Sequence, residues 1–160
     1  MALTKINNNT LSAITGLPAG VGGKVLQVVT ATNTSQITVS TGSYTWTTNI
    51  SLAITPSSTS NKILILGSQN LATNQDDKYM NGTFFKNSTN LGHSSFGISG
   101  GSLAVGVSFI AANWGASYLD SPSSTSEITY HMKGAAQTAT GYMNVNGSYG
   151  TLTLMEVAGW

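Results

Sequence analysis

Between positions 44 and 54 the bulky apolar residues Tyr44, Trp46, Ile50, Leu52 and Ile54 all fall on even numbers, and Thr45, Thr47, Asn49, Ser51 and Ala53 on odd ones. A period of two belongs to a strand with one face in a core and the other towards water. It predicts that Trp46 points inward with Ile50 and Ile54. Residues 103–113 repeat the pattern, with Leu103, Val105, Val107, Phe109 and Ala111 on one face. Ile63, Leu64, Ile65 and Leu66 instead form an unbroken apolar run, short enough for a strand buried on both faces. The turn-rich residues 56–61, PSSTSN, join it to the strand before, so the two are expected side by side.

Further strands are expected near 25–29, 36–39, 78–86, 116–119, 127–133, 142–145 and 151–157, which makes about nine or ten. The Gly-rich residues 92–101 read as one long loop. Many short strands separated by turn signals, with no helical pattern between them, predict an all-β fold. The expected architecture is an antiparallel, jelly-roll-like β-sandwich over residues 24–160.

Residues 1–23 follow another pattern. Leu3, Ile6, Leu11, Ile14 and Leu17 stand apart among Asn and Thr, and LPAGVGG follows. Asn7, Asn8, Asn9, Pro18 and the glycines disfavour a long helix, and five spaced apolar residues cannot form a core alone. The expectation is an extended N-terminal arm and hinge that needs a surface to bind. It has no apolar run of seven residues, so it does not read as a secretory signal. The uncharged stretch 102–119 invites a membrane reading, but it alternates as a strand does and contains Gly106, Asn113 and Gly115.

Composition sharpens the picture. The 160 residues include 22 Thr, 21 Ser, 14 Asn and 18 Gly, and only 7% are charged, against about 25% in ordinary domains. Arg is absent and the six Lys are scattered among five acids, so no basic stripe exists to neutralise phosphates and nucleic acid is not an expected partner. The lack of Cys excludes disulfides, thiolate metal sites and thiol catalysis.

Candidate chemistry is thin. Gly97–Gly101 matches the G-x-S-x-G nucleophile elbow, which needs a strand before it and a helix after it, and here Gly and Ser flank it. His93 and His131 are 38 positions apart and outside any cluster with metal-ligand spacing. Asp76 and Asp77 lack the alternating acidic positions of a calcium loop. GVGGK at 20–24 has the wrong spacing for a phosphate loop. Asn-x-Ser/Thr triplets at Asn8, Asn33, Asn49, Asn81, Asn87 and Asn146 follow largely from composition. No catalytic residue, metal or cofactor is expected. Trp46, Trp114, Tyr118, Tyr142 and Tyr149 are the aromatic residues that could stack on a sugar. Core or interface packing is the better reading for them, and Trp114, in Asn113-Trp114-Gly115, is the one that looks loop-borne and exposed.

Several blocks carry a resemblance: MALTKINNNTLSAITGLP (1–18), GKVLQVVTATNT (23–34), ITPSSTSNKILI (54–65), YLDSPSSTSEITYHMKG (118–134) and LTLMEVAGW (152–160). They are similar to blocks in virion proteins of tailed bacteriophages, especially marine and cyanobacterial phages, in short capsid-decoration and tail-fibre-type proteins. Residues 69–102 match no such pattern. The resemblance implies a jelly-roll-like structural protein, a homotrimer on the capsid surface of the virion. It would bind the major capsid protein, with Leu3, Ile6, Leu11, Ile14 and Leu17 as anchors. The alternative it leaves open is a tail-fibre or receptor-binding head that recognises host surface glycans.

Overall fold

The structure, a computed structural model, describes residues 24–39, 44–75, 78–102 and 110–159. The Val- and Thr-rich segments pair as β1 (Val25–Asn33), β2 (Ile37–Val39), β3 (Thr47–Ile54), β4 (Lys62–Thr73), β5 (Tyr79–Lys86), β6 (Thr89–Asn90), β7 (Ser99–Ser102), β8 (Ile110–Asp120), β9 (Ile128–Ala136), β10 (Gly141–Met143) and β11 (Gly150–Val157). Every pairing between them is antiparallel.

Several short strands are halves of one lane. β11 and β10 both pair with the same edge of β4, whose other edge is taken along its whole length by β8. β1 and β2 line up along β11 and β10 in turn. β7 and β6 likewise share one edge of β5. The first sheet therefore runs β1/β2, β10/β11, β4, β8, and the second runs β3, β9, β5, β6/β7. Numbered along the chain as eight lanes, the sheets read 1-8-3-6 and 2-7-4-5, the strand order of a jelly roll. The all-β antiparallel sandwich expected from the sequence is the fold.

The topology corrects two expectations. β3 and β4 are not neighbours: the turn between them crosses from the second sheet to the first, so β3 pairs with β9. Residues 92–101 are not one loop, because the main chain of β7 pairs with β5 from Tyr79↔Ser102 to Gly82↔Ser99. The strands expected at 103–113 and 116–119 meet in the single β8, with 103–109 outside the described residues.

The core lies between the sheets. Ile63, Ile65, Leu152 and Leu154 of the first sheet and Phe84, Tyr130 and Met132 of the second are each 0% exposed. Burying a side chain of this size contributes about 1.5–3 kcal/mol. Trp114 belongs with them. It is 5% exposed, its ring meets Phe84 edge-on at 5.5 Å, and its Nε1 donates to the Ser99 carbonyl at 2.9 Å. The indole fills the space over Gly82 where a Cβ would stand, and Gly67 makes the same room for Phe84. Trp114 is thus not the exposed contact expected from its neighbours Asn113 and Gly115. The hole that accepts it is made by a glycine on the opposite sheet.

Trp46 moves the other way. β3 carries a bulge between Thr48 and Ile50, so Thr48 pairs with Lys133 while Ile50 pairs with Met132. One inserted residue inverts the alternation. Ile50 and Ile54 face the core as predicted, but Trp46 lies on the outer face of the second sheet, against Phe85 at 6.2 Å. The bulged residue, Asn49, is turned inward and is 7% exposed.

Candidate functional site

Buried polar groups are where chemistry would reside. Asp120, at the end of β8, is 7% exposed and accepts from Lys86 Nζ (3.1 Å to Oδ1) and from the Tyr130 hydroxyl (2.6 Å to Oδ2). Burial, reinforced by the hydrogen bond and charge of Asp120, pushes the Tyr130 phenol far above its ordinary range. It remains a donor. The trio ties the two sheets together across their end and leaves neither oxygen of Asp120 without a partner.

A second cluster gathers the amides of Asn33, Asn49, Gln69 and Asn144. Asn49 Nδ2 donates to Gln69 Oε1 at 2.8 Å, and Asn144 Nδ2 donates to Asn49 Oδ1 at 2.9 Å and to the Asn33 and Ser35 carbonyls at 3.2 Å. Asn144 takes the left-handed conformation, φ 57 and ψ 48, where the lane formed by β10 and β11 breaks. The cluster satisfies the main-chain groups released at two breaks and one bulge. Sequence reasoning missed it, since nothing marks out three of 14 Asn and one of five Gln.

The two histidines are not brought together. His131 Nδ1 lies 2.8 Å from Ser51 Oγ across β3 and β9, the spacing of a nucleophile and base. Burial, followed by the charge of Lys133, lowers its proton affinity. A serine–histidine nucleophile also needs a third group to orient the imidazole, and among the described residues only Ser51 is hydrogen-bonded to the His131 ring. The pair acts as a cross-strand hydrogen bond. Among the described residues no three His, Asp or Glu gather in a way that could hold a metal ion. No helix there is long and apolar enough to cross a membrane.

The candidate interaction surface is the outer face of the first sheet. On alternating strands this face should be polar, yet Val28, Met155, Leu64 and Leu119 stand directly opposite one another across all four lanes. With lanes about 4.8 Å apart, the row is about 14 Å long. Val28 is 53% and Leu119 45% exposed, and Met155 and Leu64 are half-buried. Val25 and Val157 pair on one side of the row, and Leu66 stands on the other. The run from Ile63 to Leu66, expected to be covered on both faces, is covered on one: Ile63 and Ile65 are 0% exposed, whereas Leu64 and Leu66 are only half-buried.

This surface adjoins the point where residues 1–23 join the sheet. Lys24 leads directly into β1, an edge strand in which Val25 and Leu26 are 52% and 49% exposed. Such an edge normally carries charges or Pro to discourage pairing with other chains; β1 carries neither. The expected anchors Leu3, Ile6, Leu11, Ile14 and Leu17 lie outside the described residues. Of the other aromatic candidates, Tyr118 and Tyr142 are half-buried and Tyr149 is 62% exposed.

No protein-family model matches the chain, and no curated protein matches it. Among solved structures, the infectious bursal disease virus VP2 subviral particle is similar over 83% of this chain, at 14% identity and a TM-score of 0.40. The chain spans 37% of the length of that VP2 chain. A likeness at this level carries no weight for function. The jelly-roll assignment rests on the strand order.

Proposed function

We propose that this chain is a virion structural protein, a capsid decoration or cement protein of a tailed bacteriophage that binds the shell of major capsid protein and stabilises the head. The observation that carries this reading is the apolar row Val28, Met155, Leu64 and Leu119, continuous with the β1 edge from which residues 1–23 depart. An uncovered apolar stripe across a whole sheet suits a protein surface. The neighbouring arm supplies Leu3, Ile6, Leu11, Ile14 and Leu17 for the same shell. The mechanism is binding rather than catalysis. As a homotrimer the protein would bring three arms and three apolar faces to one site, so that individually weak contacts act at high effective concentration.

The test is binding to purified shells. Deleting residues 1–17 leaves a folded domain that no longer sediments with shells; retained binding rejects the arm as anchor. A second reading, a receptor-binding head on the tail, draws on the 58% exposure of Phe96. Copy number separates the two, because decoration requires hundreds of copies per virion by quantitative mass spectrometry, and a tail head at most a few tens.

A further inference from the structure

The outer face of the second sheet carries a different kind of feature. Between β6 and β7 the chain makes a tight turn closed by His93 and Gly97, each of whose N–H groups donates to the other's carbonyl at 2.9 Å. Gly97 has φ +68, and a Cβ there would strike the Gly82 carbonyl and the Trp46 ring. The tip is Ser94, Ser95 and Phe96. His93 Nδ1 accepts from the Ser95 and Phe96 N–H groups at 3.2 Å, which places the ring proton of the neutral form on Nε2. Trp46 Nε1 donates to the Ser94 carbonyl at 2.9 Å, and Asn81 Nδ2 to that of Ser95 at 3.3 Å.

These bonds hold out one ring. Phe96 is 58% exposed, stacked on His93 at 5.1 Å and met edge-on by Tyr44 at 5.7 Å. A single exposed apolar side chain is ordinary. An exposed ring fixed by six hydrogen bonds and two ring contacts is a preorganised contact, which lowers the ordering penalty of binding. Residues 44–61 and 87–102 contain no Lys, Arg, Asp or Glu, and Lys133, a cation of the same face, is engaged over the Phe85 ring at 4.2 Å. A protein interface is built on a contiguous apolar core within a polar rim, and Phe96 is a single ring flanked directly by Ser95, with Ser94 and His93 beside it.

We infer that Phe96, His93 and Tyr44 form a stacking site for a neutral saccharide, on the face of the sandwich opposite the apolar row. The C–H face of a pyranose ring covers Phe96, and the Tyr44 hydroxyl, His93 Nε2 and Ser94 Oγ are the polar groups at hand for its hydroxyls. The site uses no residue of the proposed shell-binding surface. A molecule seated on a shell through its first sheet would present this tip outward.

The full chain is tested on an array of neutral gluco-, manno- and galacto-oligosaccharides, and by saturation-transfer NMR with those that bind. Phe96→Ala is expected to weaken binding by about tenfold or more, Phe96→Trp to retain it, and Leu119→Ser on the opposite face to leave it unchanged. Thermal melts confirm that the variants fold. Absence of saccharide binding by the wild-type chain overturns the inference, as does unchanged binding by Phe96→Ala. Loss of shell binding in Phe96→Ala without any saccharide binding would make the tip a protein contact and overturn it equally.

Discussion

Glu156 offers the sharpest quantitative test of how this sandwich is held together. It lies on β11, points between the sheets and is 1% exposed. Its Oε1 accepts from the Ser57 N–H at 2.6 Å, the Ser57 hydroxyl at 2.7 Å and Asn61 Nδ2 at 2.6 Å, and its Oε2 accepts from Gln27 Nε2 at 2.6 Å. Burial alone would raise the carboxyl, but the bonds from Asn61, Gln27 and Ser57 together outweigh it and hold it at about 2 instead of 4.5. One residue thereby fastens β1, β11 and the crossing between β3 and β4. Because the folded-state value is the lower one, the stabilisation is fully present above about pH 4.5 and is lost as pH falls towards about 2. Allowing for solvent at this end of the sandwich, the difference corresponds to about 2–3 kcal/mol.

Glu156→Gln keeps the shape and removes the charge, turning an amide N–H towards groups that already donate. Urea unfolding of both proteins at pH 7, 5, 4, 3 and 2 should show the variant midpoint about 1–2 M lower at pH 7. The gap should narrow through pH 4 and 3 and nearly close at pH 2. Taking the difference between the proteins cancels the titration of carboxylates shared by both. A gap that stays constant from pH 7 to 2 would refute the assignment of the clamp to the ionised carboxylate.

Two other predictions concern groups that the sequence does not mark out. Tyr130→Phe removes the 2.6 Å bond to buried Asp120 and should lower stability by about 1.5–3 kcal/mol; the bond's contribution persists below the ordinary phenol range and fades only above it. In an ultraviolet titration, Tyr130 should yield no phenolate before the protein unfolds, and an early signal lost in Tyr130→Phe would contradict its burial. Asn144→Gly should destabilise by the lost hydrogen bonds alone, and Asn144→Ala by about 1 kcal/mol more, because alanine resists the left-handed conformation at φ 57. Equal denaturation midpoints for Ala and Gly would contradict that conformation.

The architecture was legible where information is local. Ile50, Leu52 and Ile54 lie on alternate positions of β3, and the strands near 79–86, 128–136 and 150–157 follow from apolar and β-branched runs with turns between them. What failed to show locally was decided by distant residues. Trp46 changes face because Asn49 is inserted into the pairing with β9, and Trp114 is buried because Gly82 lies opposite it. The separation of β3 from β4 follows from the turn's crossing between sheets. Of the candidate surface, Ile63 to Leu66 announced its apolar character, but not that Leu64 and Leu66 would remain uncovered. Nothing local aligns Val28, Met155 and Leu119 with them. The five arm residues remain a proposal from the sequence pattern.

The placement of β11 bears on how the protein comes into being. Residues 150–157, which follow every other described strand along the chain, occupy the lane between β1 and β4 and supply the partner of each. Until they emerge, β1 has no strand to pair with among the described ones, and β4 lacks the partner of residues 62–68 on one flank. A nascent chain cannot close this sandwich progressively; it must hold apolar strands such as Ile63 to Leu66 open and then complete both sheets late, through contacts distant in sequence. Many Ser and Thr, and Gly between the strands, suit a chain that has to stay soluble during that wait, whereas its sparse charge gives open strands little protection against pairing with other chains.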